Sequence, residues 1–303
     1  MTPIQAALMR SLCYTDTIEY APTISEWIAW LELGSETSSV SYEEVLKTVE
    51  KCISSGQVIL SRGRVILPGQ DRLIALREAR AGLMPRKLRT ARRVARWLRR
   101  LHGVRFVALC NTTALGYARD LGDLDFFVVT RANTVWQTRG WAALPFKLAN
   151  RRPRTDQEIA DAVCLSFFID ETALNLEHLA ITPTDPYLRY WFLSLLPLYD
   201  DGIGQKLWEE NKKIRAYSPF ATPWIVNPDL RIKSTILRIP SVPMLDRLAR
   251  RAQERVLPTE IQAVANDTGV VRTAHVLKFQ TQDARAEIRA RYETRCREYG
   301  LLA

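Results

Sequence analysis

Apolar positions along the chain fall into two patterns: short unbroken runs, and longer stretches with helical spacing. The unbroken runs are residues 104–110 (VRFVALC), 124–129 (LDFFVV) and 163–169 (VCLSFFI), each of strand length and suited to a buried strand. Ahead of them, residues 4–12 read as a short helix. Thr23 and Glu26 have capping-box spacing and open a second helix through Leu33. Ser41 and Glu44 repeat the signal, and Val45, Leu46, Val49, Cys52 and Ile53 supply the apolar stripe of a third helix. Residues 57–60 and 64–67 read as two small strands joined at Ser61, Arg62 and Gly63. Gly82 and Pro85 mark a joint over 79–85, after which a helix is expected from Arg86 to about His102. Helical spacing returns over 133–149, with Asn133 as its cap, and over 185–196, 207–217, 244–256 and 283–299. The pattern predicts an α+β protein with a helix-and-hairpin segment at 1–78, a strand-bearing core at 79–182 and a helical region at 183–303.

Composition adds bounds. At 303 residues, 47% hydrophobic and 25% charged, the chain can bury a sizeable core. Its longest apolar stretch, 190–198, contains Pro197 and is too short to span a bilayer, and the N-terminus lacks the pattern of a secretory signal. Cys13, Cys52, Cys110, Cys164 and Cys296 are scattered without a CxxC, and only His102, His178 and His275 are present. Reduced thiols in a cytoplasm are expected, and a zinc or histidine-based metal centre is not. The net charge of +10 is unevenly placed. Residues 77–102 carry ten basic side chains against Glu78 alone, whereas residues 1–75 carry nine acidic and six basic ones. Around the apolar stripe Leu88, Ala91, Ala95, Leu98 and Leu101, the arginines form either a solvated face or an electrostatic funnel for triphosphate or RNA.

The chemistry concentrates between the first two strands. Residues 111–116 (NTTALG) form a small-residue turn, and Asp123 and Asp125 sit at the head of the second strand. Carboxylates two apart on a strand project to the same face and repel unless a cation lies between them. Asp123 follows Thr112 by eleven residues, and Gly116 follows Thr112 by four. This combination resembles the nucleotidyltransferase superfamily, of the polymerase-beta-like minimal kind, in which a Gly-Ser turn precedes Asp-x-Asp. Thr112 stands in the serine position and Asn111 where the first glycine belongs. The resemblance covers roughly residues 104–130 and implies a mixed sheet flanked by helices. It also implies nucleotide contacts from Asn111, Thr112, Thr113 and Gly116, and Asp123 and Asp125 as catalytic residues holding Mg²⁺ or Mn²⁺. The implied reaction moves a nucleoside monophosphate from a nucleoside triphosphate to an RNA end or a small molecule.

In active members the third strand commonly brings another carboxylate beside the pair. Here Cys164 takes that position, with Asp161 at the strand's entrance and Asp170 roughly 20 Å further along than Cys164 by strand rise. A thiol is a poor ligand for a hard cation, so a catalytically degenerate nucleotide-binding scaffold is the alternative. Three helices and a hairpin at 1–78 resemble a winged helix. Its third helix carries Glu43, Glu44 and Glu50 against Lys47 and Lys51, a charge balance unsuited to DNA phosphates. A nucleic-acid-binding regulator using that module and the basic helix is a further reading. The runs Thr113-Ala-Leu115 and Asp123-Leu-Asp-Phe126 also resemble nucleotidyltransferase toxins that modify tRNA, which puts tRNA among the acceptors.

Overall fold

Six strands form a mixed sheet through the middle of the molecule. The computed structural model describes residues 1–33, 40–153, 157–183, 185–226, 239–264, 267–281 and 283–301. Before the sheet come α1 (Pro3–Thr17), α2 (Ile24–Ala29), α3 (Tyr42–Ser54), the hairpin β1 (Ile59–Ser61) and β2 (Arg64–Ile66), α4 (Arg72–Ala81) and α5 (Met84–Leu98). Capping boxes at Thr2, Thr23 and Ser41 start the first three helices, two of them at the positions the spacing predicts. α2 stops at Ala29 rather than Leu33, and α4 fills part of the stretch expected to be a joint.

The central strands are β3 (Val104–Leu109), β4 (Leu124–Thr130) and β5 (Val163–Asp170). Between β3 and β4 lies the single turn α6 (Asn111–Ala114), and α7 (Val135–Leu148) makes the crossover from β4 to β5. A 3₁₀ turn at Glu177–Leu179 then leads to α8 (Pro186–Leu193), β6 (Leu196–Asp200), α9 (Gly204–Glu210) and α10 (Lys212–Arg215). The chain closes with α11 (Pro243–Val256), α12 (Thr259–Ala263), β7 (Val270–Arg272), β8 (Val276–Phe279) and α13 (Arg285–Glu298). Strand order is β6-β3-β4-β5-β8-β7. Only β4 and β5 run parallel, and the other neighbours are antiparallel.

The helical expectation for 183–303 needs correction: β6, β7 and β8 all come from it and extend the sheet on both sides. Residues 196–200 follow α8 with hardly a polar break, but Pro197 cannot continue a helix, and the segment pairs with β3 instead.

Both faces of the sheet are covered. Val107, Leu109, Phe126, Val128, Leu165 and Phe168 pack against α5 and α7. On the other face Phe106, Ala108, Phe127 and Val129 meet Trp191 and Phe192 of α8 and Leu207 of α9. Burial on two sides explains why these strands read as continuous apolar runs. The core of the first three helices takes in Cys296 and Leu301 from the far end of the chain, so α13 lies against α1. Among the described residues no helix is long and apolar enough to cross a membrane.

Candidate functional site

β3 delivers the chain to Cys110, whose N–H still bonds the Asp125 carbonyl at 3.0 Å. The next residue turns sharply, with Asn111 at φ +57°. Glycine adopts this left-handed conformation freely, and asparagine is among the few other residues that tolerate it. The turn is therefore formed with Asn111 in place of glycine. It then winds through α6 to Gly116, at φ +65°. Within it the Tyr117 N–H bonds the Thr112 carbonyl at 2.9 Å, and the buried Thr113 hydroxyl lies 3.5 Å from the Asp123 carbonyl. Thr113 thus ties the turn to the head of β4, while Thr112 is exposed at its surface.

Asp123 immediately precedes β4 and Asp125 lies within it, both half-buried. Cys164 is directly opposite Asp125 in the parallel ladder. One ligand atom from each of Asp123, Asp125 and Cys164 lies within 4.8 Å of the other two. Burial, and then the charge of Asp123, pushes the Asp125 carboxyl up to about 6. A hydrogen bond from the Asn111 side chain opposes that rise. Burial raises Asp123 as well, against the attraction of Lys87 and Arg119. The Cys164 thiol is pushed well above its ordinary value by burial and then by the two carboxylates, so it is neutral at pH 7.

No family model, curated protein or solved structure matches this chain. Any reading of the site therefore rests on its own geometry and on the sequence resemblance.

The remaining carboxylates have other duties. Asp161, at φ +55°, is buried and pairs with the Lys87 ammonium at 2.8 Å and with Arg86 at 3.2 Å. Asp170 is fully buried at the far end of β5. There it accepts from the Asn133 and Thr172 N–H groups at 3.0 Å and faces His275 Nδ1 at 2.8 Å. Asp200 accepts from the N–H groups of Ile203 and Gly204 and so closes the turn that follows β6.

Two contributors were not singled out from sequence. Lys87 is fully buried, and its ammonium donates to the Gly122 carbonyl at 2.6 Å as well as to Asp161, fixing the loop that carries Asp123. Its spacing of four before Ala91 places it on the apolar stripe of α5, which was the available signal. Tyr187 of α8 donates to Asn111 Oδ1 at 3.4 Å, and nothing local in the sequence connects residues so far apart.

The donor set can be tested against a cation. The charge of Asp123 raises the proton affinity of Asp125; a divalent ion between the two would relieve it, and their oxygens suit Mg²⁺ or Mn²⁺. The Cys164 sulfur does not. The residues fit a hard cation through Asp123 and Asp125, with Cys164 as a neutral neighbour.

Proposed function

We propose that this chain is a nucleotidyltransferase: its core has the nucleotidyltransferase-like fold, its first 78 residues are winged-helix-like, and it transfers a nucleoside monophosphate from a nucleoside triphosphate to a hydroxyl. The observation that carries the reading is the convergence of Asp123 and Asp125 beside a left-handed turn of small residues. Asp123 and Asp125 would hold Mg²⁺ or Mn²⁺, which when bound supplies charge neutralisation at the triphosphate. The turn at Asn111, Thr112 and Gly116 offers backbone N–H groups and the exposed Thr112 hydroxyl to phosphate oxygens. The acceptor oxygen bonds to the α-phosphorus, the bond to the β-phosphate oxygen breaks, and pyrophosphate leaves. In place of a third acid, water takes the acceptor's proton.

RNA, including tRNA, is the polymeric acceptor favoured by charge. Arg89, Arg93, Arg96 and Arg100 are exposed along α5 and just beyond it, a helix whose first turn touches the loop that carries Asp123 through Lys87. DNA is disfavoured, because the outer face of α3 carries Glu43, Glu44 and Glu50. Five unbridged cysteines support a cytoplasmic setting.

Cys164 favours one second reading, a nucleotide sensor that has lost turnover. Incubation with each labelled nucleoside triphosphate, Mg²⁺ and a panel of RNA and small-molecule acceptors separates the two. Product that disappears in Asp125→Asn supports transfer, nucleotide binding without product supports the sensor, and absence of both removes the proposal.

A further inference from the structure

β5 has β4, the strand of the acid pair, along one edge and β8 along the other. Two arginines converge around its head. Arg139 reaches out from α7, its guanidinium 4.6 Å from the centre of the Phe279 ring of β8 and donating to Gln253 Oε1 of α11 at 2.8 Å. Gln253 is held in turn by the Trp136 carbonyl, to which its amide donates at 2.5 Å. Arg152 stands in the loop that enters β5, and the Val163 N–H fixes that loop by a 2.7 Å bond to the Arg151 carbonyl. The two cations oppose one another. Burial, and then the charge of Arg152, pulls the Arg139 guanidinium down to about 9, and burial lowers Arg152 as well. Both have the Cys164 thiol as a neighbour.

Among the described residues no carboxylate pairs with either guanidinium, and the Nε of each is buried without a hydrogen-bond partner. Cys164 supplies no countercharge, because its thiol is neutral at pH 7. Other buried arginines of this chain are matched: Arg189 has Glu32, and Arg285 has Asp283. Two half-buried cations that repel one another cost free energy that a bound anion returns. Both side chains remain partly exposed, so an anion reaches them from solvent. Phosphate suits the pair, since a planar guanidinium engages two of its oxygens at once. A carboxylate at position 164 would already occupy these arginines, whereas the thiol leaves them available.

Their place in the sheet bears on which phosphate. The turn at 111–116 follows β3, the carboxylates belong to β4, and the arginines gather at β5, the three strands being successive neighbours. In the transferase reading the donor's phosphates lie at the turn, on the β3 side of the acid pair, which leaves the β5 side to the acceptor. We infer that Arg139 and Arg152 form an anion site, beside Cys164, for a phosphate group carried by the acceptor. The inference rests on the transferase reading and specifies its acceptor class. A small phosphorylated alcohol and the last phosphodiester of an RNA share this chemistry.

The test is isothermal titration of the full chain, without metal, using ribose 5-phosphate, ribose and a short oligoribonucleotide with a free 3′-hydroxyl. The inference expects phosphate-dependent binding that weakens about tenfold in Arg139→Gln, in Arg152→Gln and in Cys164→Asp, is better kept in Arg152→Lys, and persists in Asp125→Asn. Arg152 lies in a loop, so its variants report on binding in a folded protein even where Arg139→Gln does not fold. Binding of the oligonucleotide alone assigns the site to an RNA phosphodiester, and binding of ribose 5-phosphate as well assigns it to phosphate esters of either source. Equal binding of ribose, failure of both phosphate-bearing probes to bind, or binding that Arg152→Gln leaves unchanged overturns the inference. So does a loss in Arg152→Gln confined to a nucleoside triphosphate with Mg²⁺, which would give the arginines to the donor. Phosphate binding that depends on the arginines, with no transfer by the wild type, removes the transferase reading and leaves the anion site standing.

Discussion

Replacing Asp125 with asparagine should stabilise the metal-free protein while removing metal binding. Asp125 holds its proton to about pH 6, against 3.8 for an ordinary aspartate, because it is buried and faces Asp123. A carboxyl raised in this way lowers stability wherever it must ionise in the folded state. The penalty is nearly absent below pH 4, grows as pH rises through the unfolded value, and is complete above the folded one. About two pH units correspond to about 3 kcal/mol at pH 8, falling to well under about 1 kcal/mol at pH 4. Asparagine keeps the shape and can still accept from the Asn111 amide, so most of this difference should appear as a gain. Urea unfolding of wild type and Asp125→Asn in chelator, at pH 8 and pH 4, measures it. We expect the variant to be about 1–3 kcal/mol more stable at pH 8 and nearly equal at pH 4. A variant less stable than wild type at pH 8, or one with the same gain at both pH values, would refute the argument that repulsion and burial act on this carboxylate.

Two further outcomes follow from neighbouring groups. Lys87→Met leaves buried Asp161 with Arg86 as its remaining cation and releases the Gly122 carbonyl, so a loss of about 2–4 kcal/mol in urea unfolding is expected. Asn111→Gly keeps the left-handed turn but deletes the hydrogen bond that favours ionised Asp125. The carboxyl should then titrate above 6, shown by a carbon-13 NMR pH titration of aspartate side chains.

The parts of the structure legible in sequence are those where one physical demand dominates. β3, β4 and β5 are buried on two sides, so their apolar runs stand out from any helical period. Capping boxes located the starts of α2 and α3 because the side chains themselves make the caps. β7 and β8 are three and four residues long, too short to show an alternation, and a buried Lys278 interrupts the second. Asp123, Asp125 and Cys164 were legible as a group because strand spacing and register determine which side chains meet. Lys87 was hidden by its type, since a lysine in a basic stretch is ordinarily solvated. Tyr187 was hidden by distance, because it meets Asn111 from 76 residues away.

Manganese binding followed by electron paramagnetic resonance addresses the acid pair most directly. Titrating wild type, Asp125→Asn and Cys164→Asp at pH 7.5 should show an ion bound by wild type, loss of that ion in Asp125→Asn, and about tenfold or more tightening in Cys164→Asp, where a hard oxygen replaces sulfur. Equal manganese binding by all three proteins, or none by any, would contradict the assignment of this site to a divalent cation.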